Sequence, residues 1–295
     1  MTSPATTDLG APSRVAVLYS GGTDSTAASA ILAERFDEVH LLTYTRDGLH
    51  HSTNSRHNHD LLTARFPERR FIHQIQHNGR LAEHIANHRR LHYVMRYGMF
   101  TLQSCGYCSL TNHVSTLAYC LREGIKDAAD GITHDWPFFP GHMDKVIEHF
   151  RLLYASFGIT YHTPVLAFDV APPPRYADKL GIAAPVPLDP DLNTTGRYLF
   201  RLKLAETENY KGSELDRRTQ ARCYQFVVPN MFIDWVYGGQ ERTQEYEATV
   251  VRFFSELMED CRVLLERWFA HGERDELFSF LRASSVVEAP AGQVA

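Results

Sequence analysis

The chain has 295 residues, 44% hydrophobic and 22% charged, enough to bury a core in one large domain or two smaller ones and too apolar for disorder. Lys+Arg is 30 against Asp+Glu 35, a formal charge of −5, which excludes a surface that grips nucleic acid all over but leaves room for a local basic patch. No apolar run could span a bilayer, Met1 to Pro12 has no signal-peptide pattern, and 5 unevenly spaced cysteines make no disulfide framework; a soluble, cytoplasmic protein with no membrane contact is expected.

Residues 1–12 are small and polar and read as a loose tail. Val15 to Tyr19 is an unbroken apolar run, as in a strand covered on both faces, and Ser20-Gly21-Gly22-Thr23 ends it. A helix follows over Asp24 to Phe36, then a strand over Val39 to Tyr44, a helix over Asn54 to Arg65 and a strand over Phe71 to Ile75. One long helix is expected from Leu81 to Tyr97, and Cys105 opens another with Val114, Leu117, Ala118 and Leu121 at helical spacing. Asp127 to Asp130 reads as a short buried strand, Met143 to Phe157 as a helix and Thr160 to Val165 as a last strand. This alternation predicts an α/β fold: a doubly wound parallel sheet with helices on both faces, spanning residues 13–170.

Prolines at 172–174, 185 and 187 interrupt regular structure after Val170. Helical patterns over Tyr198 to Glu208, Arg242 to Trp268 and Arg274 to Leu281 then predict a smaller, mostly helical substrate region over 171–284, followed by a loose tail over 285–295.

The turn Ser20-Gly21-Gly22-Thr23-Asp24-Ser25-Thr26 lies between a buried strand and a helix. Its glycines let the backbone approach a ligand, the helix start aims free N–H groups at the same spot, and three hydroxyls add donors. This is an anion site suited to phosphate oxygens; no Gly-Lys-Ser/Thr and no third glycine make it an NTPase or dinucleotide loop. The alternative is a plain glycine turn with Asp24 or Thr23 as a helix cap.

SGGTDS resembles the SGGxDS signature of the PP-loop ATP pyrophosphatases, the adenine nucleotide alpha-hydrolase-like (HUP-like) superfamily. The resemblance covers Arg14 to about Phe168 and implies an enzyme that transfers AMP from ATP to a substrate oxygen and releases pyrophosphate. It implies that Ser20, Gly21, Gly22, Thr23, Asp24, Ser25 and Thr26 hold ATP or pyrophosphate, with Mg²⁺ as counter-ion, and that Thr43, Tyr44 and Thr45 frame the adenosine. Asp130-Gly131-Ile132-Thr133-His134-Asp135 resembles the Gly-His loop after the fourth strand, so Gly131 joins the ATP site. Asp24 and His134 are its candidate catalytic groups beside the cysteines, His134 as acid or base.

Cys105-Gly106-Tyr107-Cys108 opens a helix, where the dipole favours thiolate, and Cys223 lies far downstream; Cys120 and Cys261 fall among apolar positions and read as core thiols. The C-x-x-C with a late third cysteine is similar to tRNA 2-thiocytidine synthetases. That similarity implies Cys105, Cys108 and Cys223 as ligands of a 4Fe-4S cluster. The related 7-cyano-7-deazaguanine synthases bind zinc, through a late cysteine run that this chain lacks. A persulfide on Cys105 or Cys108, catalytic in either case, is the third reading, and two small buried residues the bland one.

His50, His51, His57 and His59 gather after the second strand, either as a metal site or as hydrated loop histidines. Arg89, Arg90, Arg96, Arg217, Arg218 and Arg222 are the local basic residues, while Lys145 and Arg197 are candidates to neutralise phosphate. The aromatic stretch Tyr224 to Tyr237 suits either a core or a wall for a flat base.

The expected function is an ATP-dependent sulfurtransferase acting on a nucleobase or nucleotide, as in 6-thioguanine formation, with a sulfur-donor protein as partner and a homodimer left open. Net acidity weighs against tRNA. An amide- or nitrile-forming ligase and a nucleotide-binding sensor of the universal-stress type are the rivals; the Asp24-Ser25 pair weighs against the sensor.

Overall fold

β1 (Arg14–Leu18) leads into α1 (Thr23–Ala33), β2 (Glu38–Thr45), β3 (Leu49–His50) and, through a 3₁₀ turn at Ser52–Ser55, α2 (Arg56–Arg65). β4 (Arg70–His77), α3 (Gly79–Asn87), α4 (Arg90–Tyr97), α5 (Ser104–Glu123), β5 (Asp127–Asp130), α6 (Asp144–Ala155) and β6 (Thr160–His162) follow. Then come α7 (Thr195–Arg201), β7 (Arg222–Cys223), α8 (Gln240–His271) and a 3₁₀ segment at Glu276–Leu281. The structure, a computed structural model, describes residues 11–47, 49–50, 52–98, 101, 104–134, 139–170, 188–208, 210, 216, 222–223, 240–271 and 275–282. For 49–50, 104–105, 222–223, 240–243 and 271 it describes the backbone alone.

Five strands form a parallel sheet in the order β4-β2-β1-β5-β6. The chain winds outward from β1 through β2 to β4, then returns to the other side of β1 with β5 and β6, so the winding reverses between β1 and β5. Both faces are buried, which is why the strand sequences show no clean polar alternation. Val15, Val17, Val39, Leu41 and Ala129 share one core with Ala27, Leu32, Leu62 and Leu199 from α1, α2 and α7. Ala16, Leu42, Tyr44 and Ala128 share the opposite core with residues of α3, α5, α6 and α8. This is the doubly wound α/β sheet with a helical C-terminal part that the alternating pattern predicts.

α8 is bound to that second core by a stripe at helical spacing: Val250, Phe253, Phe254, Leu257, Met258, Cys261, Leu265 and Trp268 are all buried. The C-terminal helix therefore packs on α5 and α6 of the sheet layer rather than around a core of its own.

Several element boundaries differ from the sequence expectation: α1 ends at Ala33 rather than Phe36, and the helix expected over Arg274 to Leu281 is a 3₁₀ segment from Glu276. The long helix over Leu81 to Tyr97 is two helices, because Arg89 takes a left-handed φ of 53°. Arg89 donates to both oxygens of Asp260 on α8, at 3.1 and 3.2 Å, and the break lets Tyr93 pack edge-on against Phe253. The helix expected over Tyr198 to Glu208 starts three residues earlier, capped by Thr194, and ends at Arg201 ahead of a left-handed Lys203. The last strand stops at His162. The proline-rich stretch 171–187 and the aromatic stretch 224–237 lie outside the described residues.

Candidate functional site

Ser20 to Thr26 sits at the carboxyl end of β1, whose last residue pairs with Asp130, the last of β5. This is the point where the strand order reverses, the place where open α/β sheets leave a crevice for ligands. Gly21 has a left-handed φ of 79°, which its missing Cβ permits. Gly22 is the N-cap of α1 and its N–H donates to Ser20 Oγ at 3.3 Å. Ser25 Oγ donates to the Gly22 carbonyl at 3.2 Å and lies 3.1 Å from Ser20 Oγ. The first helical bond runs from Thr26 N–H to the Gly22 carbonyl at 3.0 Å, so Thr23, Asp24 and Ser25 supply the amides at the positive end of α1.

Gly131 closes the site from β5. A Cβ there would stand 2.5 Å from the nitrogen and 2.6 Å from the Cα of Ser25, and 2.7 Å from the carbonyl carbon of Asp24. Backbone lies directly on backbone at this contact, and only glycine fits it. On the other side, Asn58 of α2 donates to the Gly21 carbonyl at 2.7 Å, and Tyr210 donates to Asn58 Oδ1 at 3.3 Å. Thr195 at the start of α7 donates to Asp24 Oδ1 at 2.6 Å. Asp216 accepts both the Thr23 amide at 3.3 Å and the Thr23 hydroxyl at 2.6 Å through Oδ1. A carboxylate thus already rests on the N-terminal end of α1, where the helix dipole favours negative charge. Asn58, Thr195, Tyr210 and Asp216 carried no sequence signal, because each reaches the turn from a distant part of the chain.

Thr43 and Tyr44 lie at the carboxyl end of β2 with their side chains turned inward. Tyr44 pairs with Thr116 Oγ1 at 3.0 Å, and Thr43 donates to the Tyr19 carbonyl at 2.7 Å. Ser55 donates to the Ser52 carbonyl at 2.7 Å. With both hydroxyl protons committed, His73 Nε2 is the donor to Thr43 at 2.9 Å and to Ser55 at 3.2 Å, which fixes the Nε2–H tautomer. Burial pushes His73 down to about 3, so it is neutral at physiological pH. His59 stacks on it at 5.3 Å and bonds Asp60, while His57 is exposed. His73 escaped the sequence reading because it falls inside a strand pattern. His51 and the His50 side chain lie outside the described residues.

The C-x-x-C segment reaches the same edge of the sheet by topology. α5 leads into β5, so its first turn, with Cys105 and Cys108, lies at the carboxyl ends of the strands. Cys108 is half-buried. Gly106 between them faces Phe254 of α8, whose Cζ lies 2.8 Å from where a Cβ would be. β3 pairs antiparallel with β7 in a separate two-stranded sheet and sets Leu49 opposite Cys223 and His50 opposite Arg222. The side chains of Cys105 and Cys223 lie outside the described residues. Among the described residues, no three His, Cys, Asp or Glu side chains form a metal-binding group. Cys120 and Cys261 are buried core thiols that burial pushes well up, out of the reactive range. His134 stands exposed on the turn after β5 with Nε2 3.8 Å from Asp144 Oδ1; Asp135 lies outside the described residues.

Four of the cations named in the sequence are ion-paired within the protein, three of them at its surface. Arg89 pairs with Asp260, Arg96 with Glu256 at 2.9 Å and Lys145 with Glu247 at 3.1 Å. Arg197 is buried, bound to Glu208 at 3.0 Å and to the carbonyls of Pro190 and Leu192. It braces residues 188–208 instead of facing a phosphate. Arg217 and Arg218 lie outside the described residues.

The fold and the turn define a doubly wound, Rossmann-like α/β protein with a helical C-terminal part. No family model matches the chain, and no curated protein does. Among solved structures it is similar to one described as a predicted subunit of tRNA methyltransferase from Methanocaldococcus jannaschii. The similarity covers 54% of this chain and 70% of that one, at 22% identity and a TM-score of 0.36. So distant a likeness says nothing of activity or substrate. No helix among the described residues is long and apolar enough to cross a membrane.

Proposed function

We propose that this protein is an ATP-dependent sulfurtransferase that adenylates a carbonyl oxygen of a nucleobase or nucleotide, releases pyrophosphate and replaces that oxygen with sulfur. The observation that carries this reading is the turn at Ser20: glycines, hydroxyls and the first turn of α1 converge at the switch point of the sheet. Amides and hydroxyls in that arrangement match a leaving diphosphate, and Mg²⁺ entering with ATP would offset the charge beside Asp24.

The substrate's carbonyl oxygen attacks the α-phosphorus of ATP and pyrophosphate leaves. The carbon then bears AMP, a far better leaving group than oxide. Hydrosulfide adds to that carbon, AMP departs with the former carbonyl oxygen, and one proton is lost as the C=S bond forms. Cys105, Cys108 and Cys223 are the residues to deliver or hold the sulfur; the position of the first turn of α5, which carries the first two, at the carboxyl edge of the sheet supports this role. Three thiolates there would suit an iron–sulfur cluster or zinc, which would bind and polarise the incoming sulfur species. His134, exposed on the same edge, is the candidate to move a proton.

The net acidity of the chain and the burial of Arg197 against Glu208 support a small substrate over tRNA. The reading is tested by incubating the anaerobically purified protein with ATP, sulfide, ammonium and a panel of purine and pyrimidine bases and nucleotides. Pyrophosphate release matched by thiolated product is expected, and Cys105→Ser or Cys108→Ser should abolish thiolation. Pyrophosphate release with no substrate thiolated, and ammonia incorporated instead, would assign the chain to the ligases.

A further inference from the structure

We propose that Asp130 is the positioning residue of the phosphate-facing turn, acting through Gly131 and held in place by Tyr161. The inference rests on the reading of that turn as the pyrophosphate site. Asp130 ends β5, and its Oδ1 accepts the N–H of Ile132, two residues on, at 3.1 Å. That bond closes an Asx turn around Gly131 and dictates where the Gly131 backbone lies. Gly131 in turn rests on the Asp24–Ser25 peptide, at separations that leave no room for a methyl group. The amides of Asp24 and Ser25 belong to the first turn of α1, so a shift at residue 131 is transmitted to the donors that would cradle a diphosphate.

The carboxylate is itself fixed from the far face of the sheet. Tyr161 of β6 donates to Asp130 Oδ2 at 2.6 Å, and its ring stacks on Tyr154 of α6 at 4.9 Å. His113 of α5 places Nε2 3.7 Å from the same oxygen and stacks on Phe150 at 3.7 Å. Among the described residues, the remaining charged or titratable neighbours are His142, which binds the Thr133 carbonyl on the next stretch of the turn, and Arg151 of α6. Burial pushes the Asp130 carboxyl up to about 6, against the pull of the Tyr161 hydroxyl and the Ile132 amide. A carboxylate kept in so apolar a place, with each oxygen committed to a hydrogen bond, is retained at a cost in stability. Its bonded partners are the Ile132 amide of the turn and the Tyr161 hydroxyl, both uncharged.

The test compares Asp130→Ala, Asp130→Asn and Tyr161→Phe by two readouts at pH 7.5. The first is amide exchange over residues 20–27, which needs no ligand; the second is inorganic pyrophosphate affinity by calorimetry, scored per folded molecule. Asp130→Ala should speed exchange in this stretch and weaken pyrophosphate about tenfold, the loss of one charge-assisted hydrogen bond. Asp130→Asn, whose side-chain oxygen can still accept from Ile132, should restore both. Tyr161→Phe should fall between them and serves if Asp130→Ala does not fold. Unchanged exchange over 20–27 in both Asp130→Ala and Tyr161→Phe, or equal effects of Asn and Ala, would overturn the proposal. If exchange responds as expected while the unmodified protein binds no pyrophosphate, the positioning role stands and the pyrophosphate reading falls.

Discussion

Gly131→Ala is the sharpest perturbation of the site, because it adds one methyl group and changes no charge. The new Cβ would meet three backbone atoms at 2.5, 2.6 and 2.7 Å, none of which can rotate away. Ordinary contact begins at about 3.4 Å, so β5 and α1 must part by about 0.9 Å. Overpacking of this kind costs about 1–3 kcal/mol, and the upper end applies where backbone meets backbone. A displacement of about 1 Å in a positioned site costs on the order of 100-fold in function. Urea unfolding gives the stability change, and calorimetric titration with pyrophosphate and with ATP gives the binding change. Gly124→Ala is the control: its φ of 66° strains an alanine, but it lies at the opposite end of the sheet. It should lose stability and keep its affinity. If Gly131→Ala binds both ligands as the unmodified protein does, the turn is not the phosphate site or is not braced by β5.

Asp216→Asn removes a negative charge from the amide end of α1, so pyrophosphate should bind several-fold more tightly in titration calorimetry, and weaker binding would mean that Asp216 organises the turn instead. Stability should fall with acid because of His113, which burial pushes down to about 3. Below about pH 6.5 the unfolded chain takes up a proton that the folded one refuses, and the contribution present above that pH is lost progressively toward pH 3. Asp130, raised to about 6, acts in the opposite sense: its contribution is complete below about pH 4 and lost as pH rises through 6. His113→Gln should therefore flatten the acid limb of urea-unfolding stability by about 1.4 kcal/mol per pH unit near pH 5, and an unchanged slope would show that His113 is not held neutral. Native alkylation should spare Cys120 and Cys261 and reach them only after unfolding; rapid labelling of either would contradict their burial.

The sheet was legible in the sequence because two-sided burial writes itself as short apolar runs such as Val15 to Tyr19, and because glycines punctuate the strand ends. The turn at Ser20 was legible for a related reason: all its parts are contiguous. What was illegible depends on partners remote in sequence. The break at Arg89 is set by Asp260 and Phe253, 171 residues away in the case of Asp260. The brace on the turn comes from Asn58, 37 residues from Gly21, and Asp216, 193 residues from Thr23. Arg197 looked like a solvated or phosphate-facing cation, whereas backbone carbonyls and Glu208 satisfy it inside the protein. The strand-like pattern around His73 concealed a neutral histidine whose tautomer is set by two hydroxyls.

The central claim is that the hydroxyl- and glycine-lined start of α1 receives the phosphates of ATP. A crystal structure with a non-hydrolysable ATP analogue and Mg²⁺ tests it most directly. The β- and γ-phosphates should lie against the amides of residues 22–25 and the hydroxyls of Ser20 and Ser25, with Asp216 drawn away from Thr23. A nucleotide bound elsewhere, with Asp216 still seated on Thr23, would contradict the account.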